Sequence, residues 1–281
     1  VIVMGIAPLM PWRQASLNKL VRQLVWPVLV GLVVTAGLYA LGLRYMAVLP
    51  GTQAAIVPVT LFYGFIAFTV AVIGLEFWRG ARARRRVTGE GYPRALWRLV
   101  DQNRRRYGGY LIHLGVVMIG LGVVGTNFFK VETQRHVSVG ESFAISSPLS
   151  GDYTLTYRGL RALAAPADVE RTGATLVVRH NGQPLGELQP SYDYFVPQQQ
   201  PMTIPAMHHT LLEDLYVIVA GWEAGGASAT FKAYVEPLVN WLWIGGLVFV
   251  LGTLIAAWPT AREERLLAPT ALTGLAVEAK R

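Results

Sequence analysis

The 281 residues are 53% apolar and only 15% charged, with a positive mean hydropathy and a formal charge of +8. Soluble domains carry about a quarter charged residues, so this composition points away from one, and the absence of low-complexity tracts argues against disorder. Cysteine is absent, which removes disulfides, thiolate metal sites and cysteine nucleophiles.

Charge-free runs define the elements in chain order. Between Arg22 and Arg44 lie 21 uncharged residues, Tyr45–Leu75 is a run of 31 broken early by Pro50-Gly51, Tyr107–Phe129 is 23 long and Pro237–Ala261 is 25. A hydrocarbon core of roughly 30 Å is crossed by about 20 helical residues, so each run is long enough to span. Helices are predicted near Leu24–Leu43, Gln53–Phe77, Gly108–Asn127 and Leu238–Trp258, with Trp26, Tyr45, Trp78, Tyr107, Phe128, Trp241, Trp243 and Trp258 at their ends. Between the third and fourth, β-branched or alternating stretches recur at 131–139, 153–158, 174–180, 185–188, 215–220 and 228–235. They are separated by turn signals such as Asn181-Gly182 and Gly225-Gly226, and Pro197–Pro205 reads as a long loop. The fold class is therefore an α-helical polytopic membrane protein with four transmembrane helices and a small all-β extracytoplasmic domain.

Basic residues set the expected topology. Residues 78–106 hold ten arginines against Glu90 and Asp101, and the N-terminal segment and C-terminal tail are also basic. By the positive-inside rule these three segments face the cytoplasm. The expected organisation is a membrane region at 1–126 with three spans and an Arg-rich cytoplasmic loop at 78–106. A periplasmic β domain at 127–236, a final span at 237–258 and a cytoplasmic tail at 259–281 follow. The expected location is a bacterial inner membrane, with both termini cytoplasmic and lipid as surroundings. Few aromatics interleave the arginines and they lie between two spans, so no nucleic-acid partner is expected.

Little in the sequence resembles a hydrolase or nucleotide site. Gly120-Leu121-Gly122-Val123-Val124-Gly125 matches a dinucleotide-binding string but lies inside a predicted span, where no strand-to-helix turn exists. Glu213-Asp214 and Glu263-Glu264 read as ordinary surface, and no catalytic residue is assigned. His136 and His180 fall in strands expected to be solvated. His208-His209, beside Met207, reads as polar loop, with metal ligation open in principle but no third ligand nearby.

His113 stands apart, because it lies roughly 8 Å inside the third span. An ionisable residue there is costly and functional use is the default reading. At about 100° per residue, Gly109 and Gly120 fall within about 40° of His113, leaving room for a flat group or a second helix. Gly108, Gly115 and Gly122 recur every seven residues on the opposite side, which suits tight helix packing. A neutral imidazole can ligate a metal or donate one interhelical hydrogen bond, and the spacing leaves both open.

The string Arg104-Arg105-Arg106-Tyr107-Gly108-Gly109-Tyr110-Leu111-Ile112-His113-Leu114-Gly115 resembles a signature of the CcmF family of cytochrome c maturation haem lyases and its NrfE relatives. Gly5-Ile6-Ala7-Pro8-Leu9, with Arg13, resembles a span-closing stretch of that family, and Gly151–Tyr157 resembles the start of its second periplasmic domain. Asp214–Val217 and Pro237-Leu238-Val239 with Trp241, Trp243, Gly245 and Gly246 resemble that domain's end and the final span. The resemblance is to the C-terminal portion of CcmF.

The resemblance implies that His113 is an axial ligand of haem iron, in a haem b within the membrane. It implies thioether formation between haem and the CxxCH cysteines of apocytochrome c outside the membrane. The resemblance further implies that the haem chaperone CcmE delivers haem and CcmH the apoprotein. The family's second membrane haem ligand and its tryptophan-rich haem-handling motif lie upstream and are not in this sequence. An N-terminal CcmF-like half or subunit is therefore expected as a partner, and the chain alone is not expected to be active. The competing reading is a non-catalytic membrane scaffold that recruits periplasmic assembly partners through the β domain.

Overall fold

The computed structural model describes residues 17–46 and 56–259. The expectations for Gly5–Arg13, the Pro50-Gly51 break and the basic tail lie outside the described residues. The described helices are α1 (Leu17–Met46), α2 (Ile56–Thr88), α3 (Tyr92–Gln102), α4 (Arg104–Phe128) and α5 (Val239–Ala257). The described strands are β1 (Val131–Ser138), β2 (Ser142–Ser147), β3 (Gly151–Leu163), β4 (Val169–His180) and β5 (Gln183–Leu188). They continue with β6 (Ser191–Phe195), β7 (Gln200–Ile204), β8 (Ala206–His209), β9 (Glu213–Trp222) and β10 (Ser228–Pro237). Four helices (α1, α2, α4 and α5) are long and apolar enough to cross a membrane.

The segment expected as an Arg-rich connecting loop is largely helical. α2 runs on past Trp78 to Thr88, because the Ala- and Arg-rich stretch 81–86 favours helix and Arg85 and Arg86 sit in its last turn, where cations suit the helix dipole. Gly89 takes the left-handed conformation (φ 71°) that ends it. α3 then starts after Gly91 with a proline in its first positions.

The chain divides into a helical unit, built on α1–α3 with most of α4 and α5, and a β unit, Leu121–Leu242. Within the helical unit, glycines set the closest approaches. A Cβ on Gly31 would lie 2.9 Å from the Gly64 carbonyl oxygen, so α1 and α2 meet backbone to backbone. α4 meets α5 in the same way: a Cβ on Gly108 would lie 2.8 Å from the Gly252 oxygen, and one on Gly115 would lie 2.8 Å from the Gly245 oxygen. The seven-residue glycine spacing expected to pack therefore does so.

The β unit has two sheets. One is ordered β1-β10-β9-β8 and the other β2-β3-β4-β6-β7, with β5 pairing beside β4. Their shared core comes from alternate residues: Tyr153, Leu155 and Tyr157 on β3, Leu176 and Val178 on β4, Leu215, Val217 and Val219 on β9, and Phe231, Ala233 and Val235 on β10. All six sequence-predicted strands lie in the sheets. β7 and β8 occupy the stretch read as a loop. Each sits at the end of its sheet, and β7 has almost no buried residue, so no apolar alternation marks it. Pro201 is tolerated there because β7 is an edge strand.

Candidate functional site

His113 sits mid-helix on α4, half-buried, and its Nδ1 is sealed from solvent with no hydrogen-bond partner. A buried polar atom without a partner costs about 1–3 kcal/mol, so the position calls for an explanation. Gly109, one turn earlier, faces open space: a Cβ there would meet nothing within 4 Å. Gly120 faces the Phe62 ring at 3.1 Å by the same measure. α4 thus has one face closed against α5 by glycines and another carrying an imidazole beside an unfilled flank. Among the described residues no three His, Cys, Asp or Glu side chains converge.

The start of α4 is tied to the end of α2. Arg106 Nη2 donates to Glu76 Oε2 at 2.6 Å and Arg106 Nε donates to the Tyr110 hydroxyl at 2.9 Å. Phe77, Tyr107 and Tyr110 pack together, with the two tyrosine rings edge to face at 5.5 Å. These contacts lock the first turns of α4, and hence the rotation that aims His113.

A second polar cluster lies in the β unit, and it overturns one expectation. Glu213 and Asp214 are not surface residues: they are 1% and 2% exposed. Glu213 accepts hydrogen bonds from the Tyr153 hydroxyl at 2.8 Å and from Ser147 and Ser150. Asp214 accepts from Asn240 Nδ2 at 2.6 Å and pairs with His209 Nδ1 at 2.6 Å. The adjacent carboxylates do point apart, but both faces of β9 are covered at this end of the strand. The signal was in the alternation: Glu213 has the parity of the buried Leu215, Val217 and Val219.

The histidines of the β unit fare differently. His180 is not solvated as expected; its ring stacks on Tyr153 (4.3 Å between centroids, 10° between planes). His136 is exposed and bonds Thr230 Oγ1 at 3.0 Å. His208 and His209 lie on β8 rather than in a loop. Burial pushes the Tyr153 hydroxyl up to about 12, since ionising it would place a second negative charge beside Glu213 in a desolvated nest.

Residues 128–237 match the family model described as the CcmF C-terminal beta-sandwich. The chain resembles the C-terminal portion of the CcmF family. It is 28% identical over 252 residues to the cytochrome c-type biogenesis protein ccl1 of Rhodobacter capsulatus, covering 89% of this chain and 34% of that one. It is 27% identical over 258 residues to CcmF of Pseudomonas fluorescens, covering 91% and 35%. CcmF of Haemophilus influenzae is 31% identical over 153 residues, covering 54% and 22%. A solved structure titled Cytochrome c Heme Lyase CcmF shares the fold, with a TM-score of 0.66 at 23% identity over 92% of this chain and 38% of that one. The chain therefore spans about a third of the length of the first two CcmF-family relatives. With four helices able to span and CcmF as its relative, it is a membrane protein.

Proposed function

We propose that this chain acts in cytochrome c maturation as the C-terminal half of a CcmF-type haem lyase, with His113 as a residue that would hold the iron of a haem b within the membrane. The observation that carries the reading is the buried, unpartnered Nδ1 of His113 beside the open flank at Gly109. These residues would hold one side of a haem: an imidazole, a glycine flank that admits a planar group, and an apolar helix that excludes water. The second ligand is assigned to an N-terminal CcmF-like half or subunit. When bound, haem b would supply one-electron chemistry, suited to keeping the iron of the substrate haem ferrous.

Residues of this chain have three parts in the proposal. His113 binds and orients through one ring nitrogen. Arg106, Glu76 and Tyr110 set the rotation of α4 about its axis. The β unit, net −4 over residues 127–236, offers a docking surface for apocytochrome c and for the partners CcmH and CcmE. The proposed placement is a bacterial inner membrane. Residues 1–126 and 237–258 form its membrane region, with the Arg-rich 78–106, the tail 259–281 and both termini cytoplasmic, and 127–236 periplasmic. The outward reaction is thioether formation at the CxxCH cysteines, and the chain alone is expected to be inactive because it contributes one ligand.

The test is a reduced-minus-oxidised absorption spectrum of the chain purified with its N-terminal partner, beside His113→Ala. A b-type signal that falls sharply in the variant supports the assignment. Absence of haem from both samples, with the partner bound, would favour a scaffold role.

A further inference from the structure

The segment between α2 and α4 has no part in the proposed haem site. We infer that α3 and the arginine-rich end of α2 form a binding face for the headgroups of anionic phospholipids, anchored by Trp97. The first argument is height. Leu99 and Val100 of α3 pack with Ile73, Phe77 and Tyr107. A Cβ on Gly80 would fall 2.6 Å from Leu99 Cδ2 and 2.5 Å from the Tyr107 hydroxyl. Ile73 and Phe77 flank the end of the charge-free run of α2, and Tyr107 opens that of α4. α3 is therefore held at the level where both spans leave the apolar layer.

The second argument is which face points outward. Ala95 is fully buried, and at about 100° per residue Trp97 lies on the opposite side of α3. Trp97 is 76% exposed, one turn after Arg94 on the helix surface. A large indole turned away from the protein at this height is at home in the headgroup layer, where its apolar body and N–H are both accommodated. The start of α3 is fixed to the end of the span by Trp78, stacked on Tyr92 at 5.3 Å, with the Arg85 guanidinium 4.5 Å above the same ring.

The third argument is charge. The two acidic residues of 78–106 are already engaged: Glu90 by Arg84 and Arg98, and Asp101 by Arg104. Arg82, Arg86 and Arg94 are exposed; a planar guanidinium fork matches a headgroup phosphate in a bidentate way, and the ammonium of a zwitterionic headgroup offsets that attraction where an anionic headgroup does not. An arginine near an anionic surface strengthens attraction by about fivefold.

The full chain, reconstituted into phosphatidylcholine vesicles with a minor share of phosphatidylglycerol, tests this by lipid quenching. The Trp97 signal is the difference between wild type and Trp97→Phe. Brominated phosphatidylglycerol is expected to quench it at least about twofold more than brominated phosphatidylcholine at equal mole fraction. High salt, applied to the wild type, should bring that ratio to about one, and so should the triple change Arg82→Gln, Arg86→Gln and Arg94→Gln. Equal quenching by both lipids at low salt overturns the inference. So does no quenching by either, the result expected if Trp97 faces water or lies under another protein.

Discussion

Gly115 and Gly245 each stand where the other leaves no room for a side chain. A Cβ on Gly115 would lie 2.8 Å from the Gly245 carbonyl oxygen, and a Cβ on Gly245 would lie 2.8 Å from that of Gly115. Gly108 and Gly252 repeat the relationship one heptad away. The neighbours are backbone atoms, which cannot rotate aside. Gly115→Ala and Gly245→Ala are therefore each expected to destabilise the α4–α5 pair by ~1–3 kcal/mol, the usual cost of overpacking. Thermal unfolding of the full chain in detergent measures this, with Gly246→Ala, which meets nothing within 4 Å, as the neutral control.

Gly109 makes the opposite prediction. Because a Cβ there meets nothing within 4 Å, Gly109→Leu should leave the thermal midpoint unchanged or slightly higher, leucine being the better helix former. It would nevertheless fill the flank beside His113. The expected result is loss of the b-type spectrum with the fold intact, and a full spectrum in a folded variant would remove the flank from the proposed site.

Asp214 and His209 share one hydrogen bond but not one cost. Asp214 is buried and also receives Asn240, so Asp214→Ala is expected to lose ~1–3 kcal/mol through its unpaired donors. The His209 side chain is 56% exposed, and its removal leaves Asp214 bonded to Asn240, so His209→Ala should stay within ~0.5 kcal/mol. Comparison of the two unfolding midpoints decides it, and equal losses would contradict the assignment.

Tyr153 predicts an alkaline limit. Its hydroxyl is held up to about 12, against 10.0 for a free phenol, because burial penalises the phenolate. The native state therefore favours the protonated form. Its stabilisation is fully present below pH 10 and is lost as pH rises from there through about 12. Absorbance at the tyrosinate band, taken as wild type minus Tyr153→Phe, should show one phenol titrating near the upper end of that window. Titration near 10.0 would place Tyr153 in water.

Four spans and the principal strands were legible in the sequence because each rests on a local, additive property. Transfer of some twenty consecutive apolar residues into a bilayer depends on those residues alone, and alternation along β3, β9 and β10 follows from the pleat. The Gly108, Gly115 and Gly122 spacing was legible for the same reason, as periodicity on one helix. Membership of α5 as its partner was not, since Gly245 and Gly252 lie more than a hundred residues away. The partners of Glu213 were equally hidden: Ser147, Ser150 and Tyr153 are 60 to 66 residues distant, and only the closing of two sheets brings them to it. β7 and β8 escaped notice because neither buries a residue fully, so neither carries an apolar period. The sequence by itself thus determined which segments leave water. Tertiary structure decided what each polar group meets there, because hydrogen bonds and close backbone contacts are short-ranged and join residues that no local pattern links.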